Sequence, residues 1–319
     1  MPALKTIAIA FFTLFCINAK ATTWDEPWHD MVVKQSDSFV LAKVTANDEQ
    51  KGVTITILKQ LGGKQLQGTI QITNFYLLRL CSTSAGEGPE FHFKNVDSCY
   101  FFIKQNDKKE YCIATPTAGF AIQHNGKVAA TYRHSYHQAR INTDVYEATM
   151  TAIFNNYHKL SYDKAYINSF VTKYLSAKPA GFEKEEIETF FNQHVALECV
   201  YHLGLIGYCD KIAPFLLDSA NFHAKVSAAR ALSNCNTADN IKLLLAAIDS
   251  KENDGFVKVM CIWTLKTYKP ESAKVALQNL EKTASTEENG FGGNIMDPRV
   301  CTRMPTVKEA LTDLLAQLK

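Results

Sequence analysis

The chain has no Asn-x-Ser/Thr sequon despite its many asparagines. It has no Gly-x-Ser-x-Gly elbow, no phosphate-binding loop and, past its N-terminal apolar run, no second one long enough to cross a bilayer. Each absence removes a class of function. Without a nucleophile elbow or a nucleophile–base motif, Ser82-Thr83-Ser84 and the glycines at 86 and 88 offer only hydroxyls and a pliable loop, and no catalytic residue is assigned. Gly290-Phe291-Gly292-Gly293 lacks the Lys-Ser/Thr of a phosphate site and reads as a linker, so no cofactor is expected. His134 and His137 stand three apart, with Tyr132 and Tyr136 interleaved. Zinc takes three or four ligands and no partner cluster follows, so no metal is expected and both histidines read as solvated residues just past the last strand. The missing sequons lean toward a bacterial source.

What is present begins with export. Met1–Lys5 carries one positive charge, Thr6–Asn18 is almost wholly apolar, and Ala19-Lys20-Ala21 supplies the small-x-small pattern of a cleavage site. This order describes a signal peptide over residues 1–21. The run falls short of the ~20 residues of a membrane span, and Phe15 is too bulky to precede a lipidated Cys16. The mature chain is expected to be soluble, without an integral membrane anchor, in the periplasm or outside the cell. Losing Lys5 and Lys20 takes the 34 bases to 32, matching the 32 acids. Zero net charge gives no electrostatic reason to bind nucleic acid or anionic lipid.

Periodicity divides the rest into two domains, 22–140 and 141–319, an α+β arrangement of β-barrel then helices. Phe39, Val40, Leu41 and Val44 form an apolar run. Val53, Ile55 and Ile57 alternate, Gly62-Gly63 turns the chain, and Ile70 and Ile72 alternate again. Asn106–Lys109 and Asn125-Gly126 are hairpin turns, the second being the strongest short signal because both residues tolerate positive φ. Six or seven short strands in about 100 residues suggest a small closed barrel.

Beyond Asp144 the spacing is helical. With Leu203, Leu232 and Leu265 in one column, Val195, Ala224 and Val257 stand eight positions earlier. Cys199, Ala228 and Cys261 stand four earlier, and Val200, Ala229 and Ile262 three earlier. Phe215, Leu244 and Leu277 follow twelve beyond, on the second helix of each pair. Small residues at these sites let helices approach closely while the leucines fill the seam.

These residues carry two resemblances. "AKVSAARAL" at 224–232, with its counterparts, resembles a HEAT repeat, in three copies over 194–284 and with a period shorter than the ~40–47 residues usual for that class. Helices at 144–193 and 305–318 would cap the stack. "SDSFVLAKVT", "ITILKQLGGK" and "YCIATPTAGFAI" followed by "NGKVAAT" resemble bacterial relatives of the netrin-module or metalloproteinase-inhibitor OB folds, over residues 36–134. Those inhibitors present an N-terminal cysteine to the protease metal. The mature chain would begin Thr22-Thr23-Trp24, and its first cysteine is Cys81, so that mechanism has no support.

Eight cysteines outlast the signal peptide. Cys81 and Cys99 bracket a loop of 17 residues, and a bond between them would contribute ~3 kcal/mol by loop closure. Cys199 and Cys261 fill a column that demands small side chains and are expected to be buried thiols. Trp24, Trp28, His29 and Asp30 read as a segment pinned by its tryptophans against the barrel. The sequence thus favours a non-enzymatic exported scaffold whose helical surface binds another exported or cell-envelope protein. Phe291, Ile295 and Met296 of the loop Thr286–Arg303 are candidate contacts. The alternative makes the barrel an inhibitor or small-ligand binder and the repeats its docking module.

Overall fold

The computed structural model describes residues 24–48, 52–73, 98–115, 118–135, 137–218, 221–291 and 300–318. A two-residue strand, β1 (Trp24–Asp25), and a short helix, α1 (His29–Gln35), precede the barrel. The barrel strands are β2 (Ser38–Asp48), β3 (Gly52–Gly63), β4 (Thr69–Thr73), β5 (Ser98–Gln105) and β6 (Tyr111–Cys112). They join in the order β2-β3-β4-β6-β5, and β5 returns to β2 to close the ring. Register shifts at Phe39/Val40, Leu41/Ala42 and Val44/Ala46 bend the β2–β3 ladder, as the closure of so small a barrel requires. From β5 the sheet runs on through β7 (Phe120–His124), β8 (Lys127–Thr131) and β9 (Gln138–Asn142). Asn125 and Gly126, both at positive φ, make the expected turn between β7 and β8. Strand β9 lies beyond the strands expected from the sequence, and the change to helix comes at Thr143.

Strand β5 reads Cys-Tyr-Phe-Phe-Ile because both of its faces are covered. Cys99, Phe101 and Ile103 join Val40, Val44, Val53, Ile55 and Ile72 in the barrel interior. Tyr100 and Phe102 point the other way, into a cluster shared with the helices. A strand buried on both sides loses its polar alternation and keeps a continuous apolar run. The outer cluster stacks Phe39 on Phe102 (centroids 4.6 Å apart) and sets Tyr100 edge-on to Tyr146 (4.7 Å). Gly62 and Gly63 belong to β3, paired with β2, so the turn expected there is a place of close packing. A Cβ on Gly62 would stand 2.6 Å from the Phe154 ring.

The helical part begins with α2 (Thr143–Tyr157) and α3 (Lys164–Leu175). A stack follows: α4 (Ile187–Leu203), α5 (Ala213–Leu216), α6 (Phe222–Ala231), α7 (Ala238–Asp249), α8 (Gly255–Tyr268), α9 (Lys274–Thr283) and, after two strands, α10 (Val307–Ala316). Helices α4, α6, α8 and α10 pack in succession as an inner layer, and α3, α5, α7 and α9 each lie against one of them. Every residue of the five aligned columns is buried. The side-chain caps Asn221, Thr237, Asp254 and Thr306 start α6, α7, α8 and α10, and Thr306 forms a complete capping box with Glu309. The first pair departs from the pattern, since its outer member is the single turn α5. The disulfide Cys209–Cys235 ties this region to the end of α6.

Strands β10 (Asn289–Phe291) and β11 (Val300–Met304) pair within the segment read as a loop over 286–303. β11 also pairs in parallel with β1, which fastens residue 24 to residue 300. No helix among the described residues is long and apolar enough to cross a membrane.

Candidate functional site

The inner layer of the stack carries two polar stripes on its buried side. On α4, His194, Glu198 and His202 recur at four-residue spacing; on α6, His223, Ser227 and Arg230 do nearly the same. Such spacing puts each set on one helix face. Both faces are covered by other parts of the same chain, namely residues 26–35 and, between β8 and β9, residues 132–135 and 137.

The covering segments dock specifically. His29 donates its backbone N–H to Arg133 O at 2.8 Å, and its ring sits edge-on to Phe102 of the barrel, 5.0 Å away. Trp28 faces the stack, beside Phe256 and Trp263 of α8 and His134 of the loop. The Arg230 guanidinium lies 5.0 Å from the Trp28 ring centroid and 4.0 Å from that of Tyr201. The N-terminal segment is therefore a wedge between barrel and stack. Trp28 pins it to the helices, which corrects the expectation that both tryptophans hold it to the barrel.

His134 and His137 are likewise buried, in place of the solvated positions expected for them, because β9 and the helices close over their loop. The His137 ring lies between His194 (centroids 4.2 Å apart) and His223 (4.3 Å). Arg133 organises the group. It donates to Ser227 Oγ at 3.2 Å, to His223 O at 3.3 Å and to His223 Nδ1 at 3.3 Å. Arginine has only donors, so His223 Nδ1 must accept and the ring is neutral. Ser227 Oγ, which accepts from Arg133, also lies within hydrogen-bond distance of His194 Nδ1, 3.0 Å away. Burial keeps His194 neutral as well, and its Nε2 has no hydrogen-bond partner among the described residues. His137 Nδ1 and Ser135 Oγ are in the same position.

Below this group, His202 Nε2 donates to Tyr132 O at 2.7 Å while its Nδ1 accepts from the Tyr157 hydroxyl at 2.8 Å. Glu198, fully buried, meets Arg230 Nε at 3.2 Å. Burial, which disfavours the charged ring, is the first cause of every histidine shift. It brings His29 and His202 down to about 3, and His134 and His223 to about 4. Neighbouring histidines and Arg133 add to it for His137 and His194, which also stay well below the ordinary range. Burial lowers Arg133 to about 10.

Chemically, Ser227 and His194 form a hydroxyl–imidazole pair, but no acid orients the ring and Ser227 is wholly enclosed. No group of three or more metal-ligating side chains among the described residues has the geometry to hold an ion. The cluster has the form of a buried, neutral-histidine interface. Its outer edge carries exposed rings. Phe182 lies over Phe190 and beside His223, and Phe222 bridges His223 and Phe256. Elsewhere, α7 and α9 border a groove of about 400 Å³ lined by Leu245, Asp249, Asn279 and Leu280, among others.

Of the residues marked in the sequence, Phe291 lies in β10, opposite Thr302. Ile295 and Met296 lie outside the described residues. Cys99 is buried in β5, and its expected partner Cys81 is also outside them. Cys199 and Cys261 are buried thiols, each pushed up by burial, Cys261 to about 12. The polar stripes were missed because acids and histidines at helical spacing read as a solvated face. The detectable signal was the four-residue recurrence of His194, Glu198 and His202 inside a helix already apolar on its other sides. No family model, curated protein or solved structure matches the chain.

Proposed function

We propose that the protein is an exported, non-enzymatic binding module that presents the rim of its helical stack to another exported or cell-envelope protein. In this reading the stack is a short HEAT-like solenoid and the barrel a netrin-module-like OB fold. The observation that carries it is the placement of the exposed aromatics. Phe182 and Phe222, at 55 % and 38 % exposure, both belong to the helical part and converge on His223, where α6 begins. Exposed rings grouped on one edge are a common mark of a protein-binding surface. The inner face of the stack is filled by the chain's own wedge, which leaves the rim as the accessible part. Zero net charge after export favours a protein partner over nucleic acid. A disulfide is compatible with an oxidising compartment.

The test is capture from envelope extracts by the wild type, a Phe182→Ser/Phe222→Ser variant and a Leu58→Ser variant, Leu58 being an exposed barrel residue. The rim variant should lose its partner while Leu58→Ser keeps it. The reverse result would make the barrel the binding part, as inhibitor or small-ligand binder. Export is tested separately by the N-terminal sequence of the mature protein, expected to start at Thr22.

A further inference from the structure

We propose that Arg133, His137, His194 and His223 form an acid-released latch, in which protonation of the three rings lifts residues 132–135 and 137 and the Trp28 segment off the helical stack. The inference concerns coupling within the chain and stands whether or not the rim binds a partner.

The argument rests on the bonding around Arg133. Its guanidinium donates to His223 Nδ1 and to Ser227 Oγ, which in turn joins His194 Nδ1 at 3.0 Å. A proton on His223 Nδ1 removes that acceptor and puts a cation against Arg133 at hydrogen-bond distance. A proton on His194 or His137 adds charge to rings whose centroids are 4.2–4.3 Å apart. The surrounding groups offer little relief. From the loop come Arg133 and His134. From α4 come Glu198 and His202, the carboxylate being engaged by Arg230 of α6. From α1 come His29 and Asp30, the latter paired with Lys34 at 2.8 Å. Two carboxylates here are buried: Glu198 is engaged by Arg230, and Glu26 of the covering segment, beside His134, accepts from Thr115 Oγ1 at 3.0 Å.

The direction with pH follows from linkage. Closed, the three rings stay neutral well below the ordinary histidine range, His223 down to about 4. Open and hydrated, each regains a value of about 6.5. Above that value neither form binds protons and pH is without effect. As pH falls below it, only the open form takes them up, and three protons raise the opening constant by up to about a thousand-fold per pH unit. For His223 the gain ends near pH 4, where the closed form protonates too.

Trp28 and Trp263 report on the latch directly, since their rings are 5.9 Å apart across the contact. The experiment follows tryptophan emission, hydrogen exchange of residues 28–35 and 132–137, and far-UV ellipticity of the mature protein from pH 8 to 4. The expected result is a cooperative emission change with faster exchange in those two stretches, before ellipticity falls. In His137→Gln/His194→Gln/His223→Gln, glutamine can still accept a hydrogen bond but takes no proton. The transition should become shallower by up to three protons and move down by at least about one pH unit. If that variant does not fold at pH 8, His223→Gln alone should reduce the slope by up to one proton, tenfold per pH unit. The latch is refuted by an unchanged midpoint and slope in the folded variant, by no transition in the wild type, or by loss of exchange protection and ellipticity together.

Discussion

Ala228, Cys199 and Cys261 occupy equivalent places on α6, α4 and α8, and all three are fully enclosed. What the position requires is small volume, since the neighbouring inner helices pack against it. Cys261→Ala removes one sulfur from an apolar site and is expected to cost under about 1.5 kcal/mol, whereas Ala228→Phe forces a ring between α4 and α8 and should cost 3 kcal/mol or more, beyond the usual ~1–3 kcal/mol of overpacking. Thermal melts of the two variants check this, and losses of equal size would overturn the column alignment. At this scale the aligned columns were legible because a small residue next to a leucine leaves a mark at fixed spacing. Gly62 was not. It reads as a turn, and only the Phe154 ring packed on it shows why a side chain is excluded.

At the level of elements, the pairing of inner and outer helices followed from apolar period alone, and so did the β7–β8 hairpin from Asn125-Gly126. The weak outer member of the first pair did not. Pro214 lies in the first turn of α5, which lasts only that turn, and Phe215 and Leu216 anchor it in the core. So short an element buries little apolar area, and the Cys209–Cys235 bond supplies the missing restraint. Its separation of 26 residues corresponds to about 3.5 kcal/mol of loop-closure entropy in the unfolded chain. The double variant Cys209→Ala/Cys235→Ala should therefore lose up to about 3.5 kcal/mol in urea unfolding, and a reductant should bring the wild type down to the same midpoint. A reductant effect that persists in the double variant would point to a different bond. Sequence alone left this pairing open because connectivity depends on which ends meet in space.

For the whole molecule, barrel and helices are separate in sequence but share one apolar cluster. It passes from Phe39, Tyr100 and Phe102 through Tyr146 and Phe154 to the stack. Sequence periodicity located the two halves because each has its own repeat length. It could not show that the barrel's outer face is also interior, since an apolar strand reads the same whichever neighbour covers it. A fragment of residues 22–140 would expose those three rings and is expected to aggregate, while a fragment extended to residue 158 retains α2 over them and should stay soluble and folded. Soluble yield and near-UV dichroism of the two fragments decide the point, and equal behaviour would mean that the barrel face tolerates water.

The parallel pairing of Trp24–Asp25 with Val300–Cys301 gives the chain a direction in time. Residues 24–25 must wait for residues 300–301 before their strand has a neighbour, and bringing together segments so distant in sequence is the slowest kind of contact to form. The barrel can close early on its own hydrogen bonds, and the helices can add one after another. The wedge that joins them is fastened at its outer end only when β11 arrives. The molecule is thus a clasp whose hook is synthesised long before its eye.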